Sequence, residues 1–334
     1  MERRAMQMGL WMIVFAVLWK AVSGGGLQAV TQKLKEPSVA AFLLYLETGR
    51  VVPLETEPTT QPTAAAPTRL PTAPPTEATA PPKQPLQFAP EDGLRVELFN
   101  ATSYGADMQQ LVTKPLRWDL TGEGAKVLIL HTHATESYTK AGESYAESGS
   151  YRTLEEQHNM VSVGEALKRV LESYGIGVIH DRTLHDYPNY TGSYNASRKT
   201  AERHLRENPG IVLILDLHRD AVELSNGRQM DTSAKVNGQE AAQLMLVMGS
   251  DAGGLTHPAW RENLAVAVQL HAQLEGDAPG LMRPLYLRKE RFNQDLLPGM
   301  LLVEVGSAGN THAEALAAAE ALGHAIGAMR YGTN

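Results

Sequence analysis

Three short apolar runs in this chain each break off into charged or imidazole side chains, and that pattern restricts its fold more than any other feature. Val127-Leu128-Ile129-Leu130 leads into His131-Thr132-His133-Ala134-Thr135-Glu136. Ile214-Leu215-Asp216-Leu217 leads into His218-Arg219-Asp220, and Leu301-Leu302-Val303 carries Glu304 ahead of Val305-Gly306. Runs this short and this apolar read as strands buried on both faces, the habit of a parallel sheet. Between them the period becomes helical. Asn159 to Tyr174 is amphipathic and closed by Gly175, Ser193 to Glu207 stops at Asn208-Pro209, and Trp260 to Leu274 repeats the pattern. Thr311-x-x-Glu314 is a capping box opening a last helix. Further strands are expected at Ile176 to Ile179 and on either side of an Asn237-Gly238 turn, the second ending at Gly249. The fold class is therefore α/β, a mostly parallel sheet covered by helices on both faces, with ligands expected at the carboxyl ends of the strands.

That domain is expected over residues 91–334. Ahead of it, Pro53 to Pro90 holds 11 of the chain's 19 prolines with Thr, Ala and Glu and almost no large apolar side chain. Such a stretch cannot bury enough surface to offset its ordering entropy, so 53–90 reads as an extended, disordered stalk. Arg3 and Arg4 precede an apolar run from Met8 to Trp19, so 1–23 reads as a cytoplasmic flank and signal-anchor in the cell membrane, with the rest exported. Ala21-Val22-Ser23 also has the small-residue form of a cleavage site. Residues 24–52 form a membrane-proximal segment whose apolar patch, Val39 to Leu46, is too short to span.

Charge and composition remove whole classes of function. With 30 Lys and Arg against 37 Asp and Glu, the net charge is -7, which leaves no basic field for a phosphate backbone and excludes nucleic acid as the partner. The absence of cysteine removes disulfides, thiolate metal sites and cysteine nucleophiles together. Any metal must rest on His, Asp or Glu. In a parallel sheet the three strand ends converge on one rim, bringing imidazoles and carboxylates together from distant parts of the chain. Glu304 stands out, because a carboxylate inside an apolar strand is costly unless it is paired or functional. His218 reads either as a metal ligand or as a core histidine paired with Asp220. Tyr187, Tyr190 and Tyr194 read as lining a sugar or peptide groove or as anchoring a loop.

At these residues the sequence resembles the stage II sporulation protein P family of spore-forming Firmicutes. The resemblance is carried by His131-Thr132-His133-x-x-Glu136-x-Tyr138, the helix start from Asn159 to Gly164, Asp186-Tyr187 with Ser193-Tyr194 and Ser197-Arg198, Asp216-x-His218-Arg219-Asp220-Ala221, Asn293-Gln294-Asp295-Leu296, and Glu304-Val305-Gly306 with Asn310-Thr311. It implies a zinc amidase-like fold and a zinc-dependent N-acetylmuramoyl-L-alanine amidase acting on peptidoglycan during engulfment, with cross-bridge endopeptidase activity also attributed to the family. A non-catalytic wall-binding tether is the reading outside the enzyme class. The resemblance further implies His133 and His218 as zinc ligands and Glu304 as the catalytic carboxylate. Glu136 is favoured as the third ligand over Glu155 and Glu156. His131 is a ligand, an orienting partner or a substrate contact, and Arg219 and Asp220 stand beside the ligands. Asn293, Gln294 and Asp295 are expected in a loop that touches substrate. Expected partners are peptidoglycan, the membrane and stage II sporulation proteins D and M, in the space between mother cell and forespore membranes.

Overall fold

The computed structural model describes residues 96–139, apart from 117, and 150–332. The expected membrane segment (1–23), membrane-proximal segment (24–52) and stalk (53–90) lie outside the described residues. Among the described residues no helix is long and apolar enough to cross a membrane. The elements follow in the order β1 (Leu98–Asn100), α1 (Met108–Val112), β2 (Val127–Leu130), α2 (Met160–Ser173), β3 (Val178–His180), α3 (Ser193–Glu207), β4 (Leu213–Asp220), β5 (Ser233–Val236), β6 (Gln239–Ala242), β7 (Leu244–Met248), α4 (Trp260–Asp277), β8 (Leu285–Leu287), β9 (Met300–Ser307) and α5 (His312–Ala328). Single 3-10 turns sit at Glu156–His158 and Gln294–Leu296.

The helices start and stop where their termini find partners. Asn159 caps α2 by accepting from Val161 N, and Gly175 follows it at φ 76°, a conformation only glycine adopts at little cost. Both bonds of the Thr311/Glu314 capping box are present at α5.

Seven strands make one sheet in the order β1-β8-β7-β9-β4-β2-β3. Five of its six neighbouring pairs are parallel, and β7 against β9 is the antiparallel exception. The strand expected after Asn237-Gly238 divides in two. β6 pairs only with β5 across that turn, where both central residues have positive φ, and β7 enters the main sheet. Burial explains the division: β5 is exposed at alternate positions, whereas every residue of Leu244–Met248 is buried and needs cover on both sides.

Strand alternation sorts the core. Val127, Ile129, Leu213, Leu215, Leu217, Leu301, Val303 and Val305 face a large cluster built with α1, α2, α4 and α5. Leu128, Leu130, Ile214 and Met300 face the other way, onto Ala201 and Leu205 of α3. Both faces are covered, but unequally: α3 stands alone on its side among the described helices. Each fully buried leucine on the thick side contributes about 1.5–3 kcal/mol, so most of the fold's hydrophobic stabilisation lies there.

Candidate active site

Because Leu215, Leu217, Val303 and Val305 point to the thick side, Asp216, His218 and Glu304 point to the face that α3 covers only in part. His218 and Glu304 are direct cross-strand partners in the β4–β9 register, and Met245 of β7 flanks Glu304 on its other side. Cross-strand neighbours on one face stand about 5 Å apart. The fold thus sets an imidazole and a carboxyl side by side on a thinly covered surface.

His133 and Glu136 reach the same place from β2. That strand ends at Leu130 and the chain turns at once, Glu136 N donating to His133 O at 3.1 Å. Glu136 Oε2 accepts from Arg219 N at 3.1 Å and lies 3.8 Å from His218 Nδ1, while Oε1 accepts from Arg152 Nη2 at 3.2 Å. The rings of His133 and His218 stand 5.3 Å apart at 85°. His218 Nε2 lies 3.1 Å from Asp216 Oδ1, close enough to pair electrostatically but not aligned as a hydrogen bond. Asp216 is fixed in turn by Thr132, whose N and Oγ1 donate to it at 2.8 and 2.6 Å. Tyr194, at the start of α3, packs its ring 5.7 Å from that of His133 and 6.3 Å from that of His218.

The electrostatics follow from burial among unlike charges. Burial pushes the Glu304 carboxyl up to about 8, helped by Glu136 and Asp220. Burial alone would raise Glu136 too, yet the cations around it, Arg219 foremost, hold it below its ordinary value. Burial pulls His133 down to about 4. It also opposes the charge on His218, but Asp216 and then Glu136 and Glu304 outweigh it and keep that imidazole near 9. The protonated form of His218 is therefore favoured among the carboxylates, beside the guanidinium groups of Arg219 and Arg152 on Glu136.

Zinc is the metal the sequence resemblance implies, and the residues fit it in donor type and in charge. Imidazole nitrogen and carboxylate oxygen are zinc donors, and the carboxylates that keep a proton on His218 equally favour a cation. His133 Nδ1 and Glu304 Oε2 are buried without a hydrogen-bond partner, a rare condition for polar atoms in a folded interior. Ligand spacing is not already set: among the described residues no three His, Cys, Asp or Glu side chains form a ready metal-holding group.

The other expected site residues have separate places. His131 turns to the α2 side and is fully buried, its Nε2 2.9 Å from His180 Nε2. It does not share a face with His133, because the strand stops before either residue. Gly164 of α2 makes that arrangement possible, since a Cβ there would sit 2.5 Å from His180 Nε2 and 2.8 Å from His131 Nε2. Glu155 precedes the 3-10 turn without a side-chain cap bond, accepting instead from Gln157 Nε2, and Glu156 pairs with Arg182 at the surface. Arg219 clamps backbone, donating to Ser137 O, Ser150 O and Tyr151 O. Asp220 pairs with Arg283 at 2.8 Å. Asn293 Nδ2 donates to Tyr194 O, and fully buried Gln294 bonds Gly249 N and Val247 O. Asp295 takes a two-pronged pair from Arg198. Sequence reasoning gave no role to Asp216, Asp186 or Arg152. Asp216 carried a usable signal, being a second carboxylate inside an apolar strand, two residues before His218 and so on the same face.

Fold and site together define an α/β protein with two imidazoles, His133 and His218, and three carboxyl groups, Glu136, Asp216 and Glu304, gathered on the thinner face of a mostly parallel sheet. Residues 68–327 match the family model of stage II sporulation protein P, and the chain belongs to that family. It is 31% identical over 212 residues to stage II sporulation protein P of Bacillus subtilis (strain 168), a match covering 60% of this chain and 50% of that protein. The chain thus spans about half the length of the curated relative it matches. Among solved structures, the N-acetylmuramyl-L-alanine amidase Ami1 of Mycobacterium smegmatis is 14% identical with a TM-score of 0.38, over 62% of this chain and 96% of that one. The N-acetylmuramoyl-L-alanine amidase AmiC2 of Nostoc punctiforme is 12% identical with a TM-score of 0.35, over 63% and 97%.

Proposed function

We propose that this protein is a zinc-dependent peptidoglycan hydrolase of sporulation that cleaves the amide between N-acetylmuramic acid and L-Ala during engulfment. Family membership supports the biological setting. The observation that carries the chemistry is the buried Glu304 carboxyl beside His218, with His133 and Glu136 in the same cluster. His133, His218 and Glu136 would hold the metal. Bound there, zinc supplies a Lewis acid that polarises the scissile carbonyl and lowers the pKa of the attacking water.

Glu304 supplies the proton transfers. A carboxyl whose pKa lies in the neutral range can take a proton from water as oxygen attacks the carbonyl carbon, then give it to the departing nitrogen as the C–N bond breaks. The products are the lactyl carboxylic acid and the free amine of L-Ala. Asp216, held by Thr132, keeps His218 oriented, and the partial cover of α3 leaves room for a polymer to approach.

Attachment to the cell membrane through 1–23, with the domain in the space between the two membranes, belongs to the same proposal, as does partnership with stage II sporulation proteins D and M. The deciding experiment is mass spectrometry of fragments released from purified peptidoglycan, with and without a chelator. New L-Ala amines that disappear on chelation are expected. Cleavage confined to the peptide cross-bridge would replace the amidase by an endopeptidase, and undiminished release in chelator would remove zinc.

A further inference from the structure

Resting on the zinc reading above, we infer that Asp186 is the positioning residue for His133: it holds the ring proton on Nδ1 and leaves the Nε2 lone pair for the metal. His133 Nδ1 is buried without a hydrogen-bond partner, and Asp186 Oδ2 lies 4.0 Å from it on a carboxylate that is 0% exposed. A neutral imidazole carries its single proton on one nitrogen and a lone pair on the other, and a buried carboxylate beside one nitrogen favours the proton there. At 4.0 Å the contact is a charge–dipole attraction rather than a hydrogen bond, and it acts through the position of that proton. Tyr190 does not compete for the other nitrogen. Its ring lies parallel to that of His133, 4.6 Å away at 9°, so its hydroxyl, 3.3 Å from Nε2, sits over the imidazole, whereas the Nε2 lone pair lies in the ring plane.

The same device occurs twice in this site. His218 has Asp216 Oδ1 3.1 Å from its Nε2, and that aspartate accepts from both N and Oγ1 of Thr132, at 2.8 and 2.6 Å. His133 has Asp186, which accepts from both N and Oγ1 of Thr135, at 3.2 and 2.6 Å. Each histidine thus faces a buried aspartate locked by the main-chain and side-chain donors of one threonine, and both threonines lie in the stretch that carries His133 and Glu136. The nitrogens left over are His133 Nε2 and His218 Nδ1, and the second lies 3.8 Å from Glu136 Oε2. Arg152 ties the new pair to the same carboxylate, donating to Asp186 Oδ2 at 2.6 Å and to Glu136 Oε1 at 3.2 Å. A carboxylate behind a metal-binding imidazole fixes its tautomer and the orientation of its ring.

The test joins a tautomer measurement to a zinc titration, both on the full-length chain. In metal-free protein carrying isotope-labelled histidine, proton–nitrogen correlations distinguish an Nδ1–H from an Nε2–H imidazole, and His133→Ala assigns the signal. Zinc affinity is read against a chromogenic chelator for wild type, Asp186→Asn and His133→Ala. The His133 proton is expected on Nδ1 in wild type. Asp186→Asn is expected to lose that preference and to bind zinc roughly 10- to 100-fold more weakly. A wild-type His133 with its proton on Nε2 overturns the inference, even where Asp186→Asn fails to fold. Wild-type affinity in Asp186→Asn, with His133→Ala weakened, overturns the role of Asp186 and leaves the zinc reading standing. Lowered affinity with the Nδ1–H signal retained also overturns it, since the aspartate would then only brace Thr135 and Arg152. A wild-type chain that takes up no zinc, or a His133→Ala variant as tight as wild type, removes the zinc reading and this inference with it.

Discussion

The sheet has two halves that meet at the antiparallel β7–β9 pair, and they differ in what their strands carry. β9, β4, β2 and β3 run parallel and bear Asp216, His218 and Glu304. β7, β8 and β1 run the other way and bear no charged side chain at all. One half holds groups whose ionised forms are poorly solvated, and the other is packed neutral surface continuous with the main core. Activity and stability should accordingly respond to different substitutions.

The largest separation is expected at Glu304. Glu304→Gln keeps the shape but cannot accept a proton, so the rate of peptidoglycan digestion should fall by about 100- to 10,000-fold. The melting temperature should hold, because the change also removes a carboxylate that burial disfavours. Activity that declines only in proportion to lost folded protein would make Glu304 structural. In the neutral half, Leu285→Ala opens a cavity at a residue that is 0% exposed. A loss of about 2–5 kcal/mol is expected, read from the urea midpoint, with the rate per folded molecule unchanged. A drop in that rate would show that the halves are not separable.

Acid should act through the neutral half as well. His271 of α4 is 2% exposed, faces Glu275, and is pulled down by burial to about 4. The unfolded chain takes up this proton near 6.5 and the folded chain only near 4, so stability is full above 6.5 and is lost as pH falls between those values. At about 1.4 kcal/mol per pKa unit, the contribution is on the order of 3 kcal/mol. His271→Leu should flatten that limb of the stability–pH curve, and an unchanged limb would assign the acid sensitivity elsewhere. The smallest effect is expected at Gly164→Ala. Alanine inside a helix usually stabilises by about 0.5–1 kcal/mol over glycine, but here its Cβ meets His131 and His180. Overpacking should win by about 1–3 kcal/mol, measured by thermal melting, and a stabilised variant would show that the two imidazoles can move aside.

The charged half was also the legible one. Its strands announce themselves as apolar runs broken by ionisable residues, and parity along β4 and β9 places those residues on one face. β1 and β8 are three residues each, Leu-Phe-Asn and Leu-Tyr-Leu, too short to show any period. His131 misleads because a His-x-His pair shares a face only while the strand continues, and β2 stops at Leu130. Asp216 went unassigned although it obeys the same burial argument as Glu304. The place of Arg152, over the Tyr190 ring and paired with Glu136 and Asp186, depends on contacts between separate segments of the chain, which no local pattern encodes.

His218 and Glu304 are 86 positions apart in the chain and meet only through the β4–β9 register. Bringing such distant strands together requires closing a long loop before any contact rewards it, which makes this pairing a late and cooperative event in folding. Neither a nascent chain that has not reached Met300 nor a partly collapsed one presents the two groups side by side. For the hydrolase proposed above, competence would therefore switch on only with the finished domain, leaving the chain silent for as long as it is being made.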